Sequence, residues 1–302
     1  MTFDKILVAL DGSKNSQIAA GYAFWIANKF DAELASQYVV DPRLVNLFIE
    51  PEFGEELGLS ASVQTSEKVF SALRKIGKVV LDNFTLEAKE RRLDTVSKLS
   101  EGHIVEEILR YAQNFDLLIV GHRGLGEVEL PARIRLGSVA ERIVVEAELP
   151  VLIAVQPVDQ IKQVLVAYDG SEAARGALLM AENFAKNMGA QLKAMVVVHN
   201  DETRSGAKVL VEDGEKYLRE YWQNDVFDVK EGNADETILN EAKQSKSLLV
   251  LGAYGYNNSD QNVLGSTTTR VIRATDTSVL VYRPKEARAK RADKKYQTTH
   301  SK

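Results

Sequence analysis

The chain is written twice. Ile6-Leu7-Val8-Ala9-Leu10-Asp11-Gly12-Ser13 returns 158 positions later as Val164-Leu165-Val166-Ala167-Tyr168-Asp169-Gly170-Ser171. Further along each half, an apolar run ends in glycine. Leu117-Leu118-Ile119-Val120-Gly121 leads to Gly124, and Leu248-Leu249-Val250-Leu251-Gly252 leads to Gly255. Both stretches close on Gly-Ser, at Gly137-Ser138 and Gly265-Ser266. A repeat of this length is a duplicated domain, not a short-period solenoid. It sets the same glycines in the same context twice, which makes them a site to explain.

The offset between the halves shrinks along the chain, to 131 between Gly121 and Gly252 and to 128 between Gly137 and Gly265. The first half therefore carries 27 extra residues ahead of its glycine loop and three more inside it. The larger excess falls mostly between Val40 and about Lys75, through Asp41-Pro42, Glu50-Pro51-Glu52 and Gly54.

A length of 302 residues suits two ordinary domains. The boundaries read as 1–157 and 158–284, with a basic tail over 285–302. The 45% hydrophobic and 27% charged composition lets each half bury a sizeable core. Zero cysteines exclude disulfides, thiol catalysis and zinc–thiolate sites. No apolar run approaches the ~18 residues of a membrane span, and no secretory signal pattern precedes the first strand. A cytoplasmic protein without a membrane partner is the expectation. Net charge is −5, but the segment from Pro284 to Lys302 carries seven basic and two acidic residues, leaving the body at −10. An acidic body argues against nucleic acid as the main partner. The tail reads as a solvated terminus.

Short β-branched runs alternate with helical patterns. In the first half, strands are expected at Lys5–Leu10, Glu33–Val40, Thr95–Leu99, Leu117–Val120 and Val151–Val155. Ile18, Tyr22, Trp25 and Ile26 form the apolar stripe of a helix between the first two. Further helices read over Ser66 to about Arg91, Val105–Ala112 and Val139–Val145. The second half repeats the order. Its strands are Val164–Tyr168, Leu192–Val198, Val226–Val229, Leu248–Leu251 and Val279–Tyr282. Its helices are Ala173–Lys186, Val209–Trp222, Glu236–Ala242 and Thr267–Ala274. The fold class is α/β: two similar domains, each an open five-stranded parallel sheet with helices on both faces.

In open parallel sheets, ligands bind at the carboxyl ends of the strands. Asp169 follows the first strand of the second half, Val197 lies near the end of the next, and Gly252, Gly255, Gly265 and Ser266 run from the fourth strand into a helix. Glycine lets backbone N–H groups approach an anion closely. A helix start offers free N–H groups and a positive dipole end to phosphate. A carboxylate at a neighbouring strand end can accept hydrogen bonds from ribose or base. Each feature alone is more often a cap or a turn. Their duplicated conjunction at strand ends describes a mononucleotide cleft.

Gly252-Ala253-Tyr254-Gly255, nine residues, then Gly265-Ser266 resembles the G-x2-G-x9-G-S/T motif of the universal stress protein family. Val166-Ala167-Tyr168-Asp169-Gly170-Ser171, Glu231-Gly232-Asn233-Ala234-Asp235-Glu236-Thr237-Ile238 and Gly102-His103-Ile104-Val105-Glu106-Glu107-Ile108 are similar to other segments of that family. The resemblance covers nearly the whole chain and takes the family's tandem form. It implies an ATP-binding, regulatory stress-response protein, with Mg2+ as a companion ion of the nucleotide. It implies that Asp169 and the Val197 backbone hold adenosine, and that Gly252, Gly255, Gly265, Ser266 and Thr267 surround ribose and phosphates. It also implies antiparallel pairing of the closing strands Val151–Val155 and Val279–Tyr282 between domains, here within one chain, with a homodimer as a further step.

The first half departs from the motif. Asp11, Val39, Gly121, Gly124, Gly137 and Ser138 occupy matching positions, yet twelve residues separate Gly124 from Gly137, Pro131 among them. Proline removes an N–H and fixes φ, so the loop takes another path and a weaker or empty nucleotide pocket is expected. His122, Arg123, Arg133 and Arg135 add positive charge there; a solvated basic loop is the alternative. No Walker motif is present, and Gly124-Leu125-Gly126 lacks the third Rossmann glycine. His103, His122, His199 and His300 have no metal-ligand spacing. Trp25 and Trp222 read as core. Two other functions stand beside the ATP-binding reading: an interaction scaffold with a vestigial cleft, and a slow ATPase or adenylate-transfer enzyme. No general base is visible beside the phosphate loop, which points away from the enzyme.

Overall fold

A computed structural model of the chain describes residues 3–43, 63–124, 136–199, 201–218, 225–254 and 264–283. Gly255, Pro131, Arg133, Arg135, Trp222, His300, the basic tail and most of the insertion lie outside the described residues.

The first half runs β1 (Lys5–Ala9), α1 (Lys14–Phe30), β2 (Glu33–Val40), α2 (Val63–Glu90), β3 (Thr95–Glu101), α3 (Ile104–Ala112), β4 (Leu117–Gly121), α4 (Ser138–Glu146) and β5 (Val151–Ala154). A 3-10 turn over Val158–Gln160 joins it to the second half. There follow β6 (Gln163–Ala167), α5 (Glu172–Met188), β7 (Gln191–Val198), α6 (Asp201–Leu218), β8 (Phe227–Glu231), α7 (Ala234–Ser245), β9 (Ser247–Gly252), α8 (Ser266–Ala274) and β10 (Val279–Tyr282).

The strands form one ten-stranded sheet in the order β3-β2-β1-β4-β5-β10-β9-β6-β7-β8. Within each half all neighbours are parallel. At the centre β5 and β10 run antiparallel, with Val279 opposite Ile153, Leu280 opposite Leu152 and Val281 opposite Val151. Both central strands are buried on both faces, which accounts for their unbroken apolar runs. Each face of the sheet carries a core that continues across both halves.

The halves also meet beside the sheet. Phe184 of α5 is completely buried among aromatic residues of the first half. Its ring centroid lies 5.6 Å from Phe3, 5.5 Å from Phe30 and 6.4 Å from Trp25. Such contacts add about 0.5–1.5 kcal/mol each beyond area burial. The Trp25 expected in the core is thus an interdomain residue. The Val155 and Gln156 backbone N–H groups donate to the buried Ser278 Oγ at 3.0 and 3.2 Å, which fixes the linker against β10.

One helix departs from its sequence pattern. α6 begins at Asp201, not Val209. Its first turns, Asp-Glu-Thr-Arg-Ser, contain no apolar residue, so hydrophobic periodicity carries no signal there. Its counterpart α2 spans 28 residues against 18, so part of the first half's extra length is spent on a longer helix. Other ends agree within a residue or three, the usual spread of helix and strand boundaries.

Candidate functional site

The first βα turn of each half is built the same way. The Ser13 N–H donates to Asp11 Oδ1 at 2.9 Å, and the Ser171 N–H to Asp169 Oδ1 at 3.0 Å. Gly12 and Gly170 take positive φ angles of 84° and 74°, which a side chain would oppose. Ser13 and Ser171 then cap α1 and α5, their Oγ atoms accepting from the Ser16 and Ala174 N–H groups at 3.1 Å. The same hydroxyls reach over to the glycine loops, contacting the Arg123 and Tyr254 carbonyls at 3.4 Å. Each aspartate is thereby anchored beside the loop that follows β4 or β9.

Those loops are drawn shut at their bases. The Gly137 N–H donates to the His122 carbonyl and the Gly265 N–H to the Ala253 carbonyl, both at 2.9 Å. Gly137 and Gly265 are the N-caps of α4 and α8. In the second half a further tie appears that the motif does not announce. The buried Thr268 donates its Oγ1 proton to the Gly252 carbonyl at 2.8 Å.

Gly121 and Gly252 have a reason different from the sequence-based one. A Cβ on Gly252 would lie 2.8 Å from the Ala173 carbonyl carbon, and one on Gly121 would lie 2.8 Å from that of Asn15. Both sit where β4 or β9 passes the first turn of α1 or α5. Their missing side chains allow that backbone contact, whatever the loop binds. A Cβ on Gly124 would instead meet the Asp11 carboxylate, 3.0 Å away.

Two cavities result, one per half, at the carboxyl ends of the strands. The second-half cavity, of about 570 Å³, brings together Asp169, Val197, Gly252, Gly265, Ser266 and Thr267. Gly255 is the one member of that predicted set outside the described residues. Tyr168, Met195, Ile238 and Tyr254 also line it; no motif singled them out. The first-half cavity, of about 490 Å³, brings together Asp11, Val39, Gly121, Gly124, Gly137 and Ser138. Arg123 lines it as well. His122 is buried in the loop base, and His103 stands before α3 as its N-cap.

The two cavities differ electrostatically. Ser266, Thr267 and Thr268 open α8, whose first turn has no acidic residue. Glu141 sits in the first turn of α4, where a carboxylate already engages the positive dipole end. It pairs with Arg273 from the other half. Around the second cavity, the Tyr168 hydroxyl donates to Asp213 of α6 at 2.9 Å, and Arg175 Nε donates to the same oxygen at 3.1 Å. Burial pushes the Tyr168 hydroxyl pKa above its ordinary range, and the bond to Asp213 pushes it the same way. The Tyr168 bond, followed by Arg175, holds the Asp213 carboxyl below its usual range. This network fixes α6 to the rim of the cavity.

Among the described residues, no helix is long and apolar enough to cross a membrane. A family model described as the universal stress protein family matches residues 2–155 and again 160–283. A universal stress protein of Synechocystis sp. is 27% identical over 296 residues, spanning 92% of this chain and 99% of the relative. One from Mycolicibacterium smegmatis is 26% identical over 303 residues, spanning 93% and 97%. The crystal structure of a universal stress protein from Archaeoglobus fulgidus has a TM-score of 0.69 at 21% identity, covering 93% of this chain and 98% of that one. The fold, the two matched regions and the near full-length relatives agree: the chain is a tandem of two such domains and belongs to the universal stress protein family.

Proposed function

We propose that this protein is a cytoplasmic, regulatory ATP-binding protein that holds one nucleotide per chain, in the second half. The observation that carries this reading is the start of α8. Ser266 and Thr267 line the cavity there, with no carboxylate in that turn, and Asp169 lines the same cavity. A hydroxyl-rich helix N-terminus suits phosphate oxygens, and Asp169 suits the ribose or base hydroxyl and amine donors. The cavity lies within the ~300–1,000 Å³ usual for small-molecule sites.

Among the described residues, no cluster of three or more histidine, cysteine, aspartate or glutamate side chains forms a metal cage. A Mg2+ ion bound with ATP takes its ligands largely from the phosphates and water. The lining residues supply binding and orientation, and Asp169 is the carboxylate among the described ones.

Calorimetric titration of ATP tests the site. Gly265 has φ −58° and ψ 147°, which any residue can adopt. Gly265→Val therefore tests close approach to the ligand without straining the backbone. One ATP per chain is expected for the parent, with affinity at least about tenfold weaker in the variant. Unchanged affinity in Gly265→Val, or two equivalent sites per chain, would overturn the assignment.

A further inference from the structure

The first-half cavity keeps the frame of the second and changes its lining. Val139 and Ala140 follow Ser138 in α4 where Thr267 and Thr268 follow Ser266 in α8. Two hydroxyls at the helix start are thus replaced by hydrocarbon, and Glu141 occupies that turn. Ile104 stands where the second half has Ala234. The long helix α2 contributes Leu73 and Ile76 to the wall, whereas none of the described residues of α6 lines the second cavity. Every one of these changes removes affinity for a phosphate chain or adds apolar surface.

One change runs the other way. Gln37 of β2 lies on the cavity floor at the position of Met195. It is completely buried. Its Nε2 donates to Ser100 Oγ at 2.9 Å and to the Glu107 carbonyl at 3.2 Å. Its Oε1 has no hydrogen-bond partner among the described residues. A buried acceptor without a donor is costly, and native structures keep such groups for a reason. Among the described lining residues the charged ones are Asp11 and Arg123, of opposite sign, so that lining favours neither sign of ligand.

From these features we infer that the first half is a binding site of its own, for a neutral, unphosphorylated, mainly apolar small molecule that carries an N–H or O–H donor. The apolar wall takes the body of the ligand. The Asp11 carboxylate lines the cavity and is the acceptor for its donor, with Gln37 Oε1 a second acceptor once its side chain, closed to solvent at rest, turns toward the ligand. The site stands independently of nucleotide binding in the second half, and the two cavities open in different domains of one sheet.

The probe that tests this is N-phenyl-1-naphthylamine, a neutral apolar dye with a single N–H donor and stronger fluorescence in apolar surroundings. It is titrated into the full chain with and without saturating ATP. One dye per chain is expected, undisplaced by ATP. Ile76 is 49% exposed at the cavity rim, so Ile76→Glu folds and places a charge in the apolar wall. It is expected to weaken the dye at least about tenfold. The double variant Val139→Thr/Ala140→Thr restores the second half's hydroxyls and is expected to weaken it severalfold. Circular dichroism melting reports that both variants are folded. Three results would each overturn the inference: no dye binding to the parent, displacement of the dye by ATP, or dye affinity unchanged in both variants. Because the dye is also titrated alone, loss of the nucleotide site in the second half leaves the test readable.

Discussion

Ile153 of β5 stands opposite Val279 of β10, and neither side chain is reached by solvent. This antiparallel pair is the point at which two parallel five-stranded sheets become one. Open edges here would expose apolar strands to pairing with other chains; pairing with each other removes both edges. Ile153→Lys would bury an ammonium in that seam while discarding a large apolar side chain. Losses of about 3 kcal/mol or more are expected from the two effects together. Urea unfolding checks the loss, and dye binding to newly exposed apolar surface checks that the halves loosen. Full retention of stability would show that the aromatic cluster around Phe184, not the strand pair, holds the halves together.

The tie from Thr268 to the Gly252 carbonyl makes a second expectation. Thr268→Val preserves shape and removes the donor to the part-buried Gly252 carbonyl, at a cost of about 0.5–1.5 kcal/mol. Because the bond spans the base of the glycine loop proposed to hold the nucleotide, ATP affinity should fall along with stability. Gly252→Ala should also destabilise, for a different reason: its Cβ would press on the Ala173 backbone and cannot be relieved by a rotamer change. Such overpacking costs about 1–3 kcal/mol. Thermal melts of both variants, with and without ATP, separate the effects. A Gly252→Ala protein as stable as the parent would remove the packing explanation for this glycine.

Tyr168 sets a pH dependence. Its folded-state pKa is raised, chiefly by burial and then by the bond to Asp213. Stability from this group is complete below the unfolded tyrosine pKa of about 10 and is lost as pH rises above it. Tyr168→Phe should flatten the alkaline fall by up to one proton, about 1.4 kcal/mol per pH unit. Asp213 behaves oppositely. Its pKa is lowered, so its contribution is present above about pH 4 and is lost as pH falls further. Chemical denaturation across pH 8–11.5 reads the first effect; identical slopes for parent and Phe variant would contradict it.

Much of this architecture is legible in the residues. The repeated strand–Asp-Gly-Ser turn and the strand–glycine loop place both cavities at the correct strand ends, because parallel strands and N-caps leave local signals. The parts that stay hidden depend on distant packing. Gly121 and Gly252 look like loop glycines made for a ligand, yet the atoms they make room for belong to helices more than 70 residues away in sequence. Leu73 and Ile76 look like ordinary stripe residues of a surface helix until α2 is seen lying over the first cavity. The polar first turns of α6 and the Tyr168–Asp213 bond carry no periodic signal. The replacement of Thr267-Thr268 by Val139-Ala140 stands in the sequence, but its meaning depends on both pairs lining equivalent walls.

Two arginines from the second half reach the same helix of the first, and they should matter unequally. Arg273 pairs with Glu141 at the start of α4, where its side chain remains 49% exposed. Exposed pairs of this kind are worth about 0–1 kcal/mol, so Glu141→Gln should hardly change the melting temperature. Arg283 is only 3% exposed, directly after β10. Its guanidinium donates to the Val144 and Val145 carbonyls, each at 2.9 Å. Those carbonyls belong to the last turn of α4, where the dipole favours a cation. Arg283→Met keeps most of the apolar stem but leaves two carbonyls without these donors. A loss of about 2–4 kcal/mol is expected, since bonds from charged donors contribute more than neutral ones. Arg283→Lys should recover only part of it, because an ammonium cannot reproduce the planar fork. Urea unfolding of the three variants checks the order: Glu141→Gln nearest the parent, Arg283→Lys next, Arg283→Met last. If Glu141→Gln proved the most damaging, the exposed ion pair rather than the buried cap would be the stronger tie between the halves.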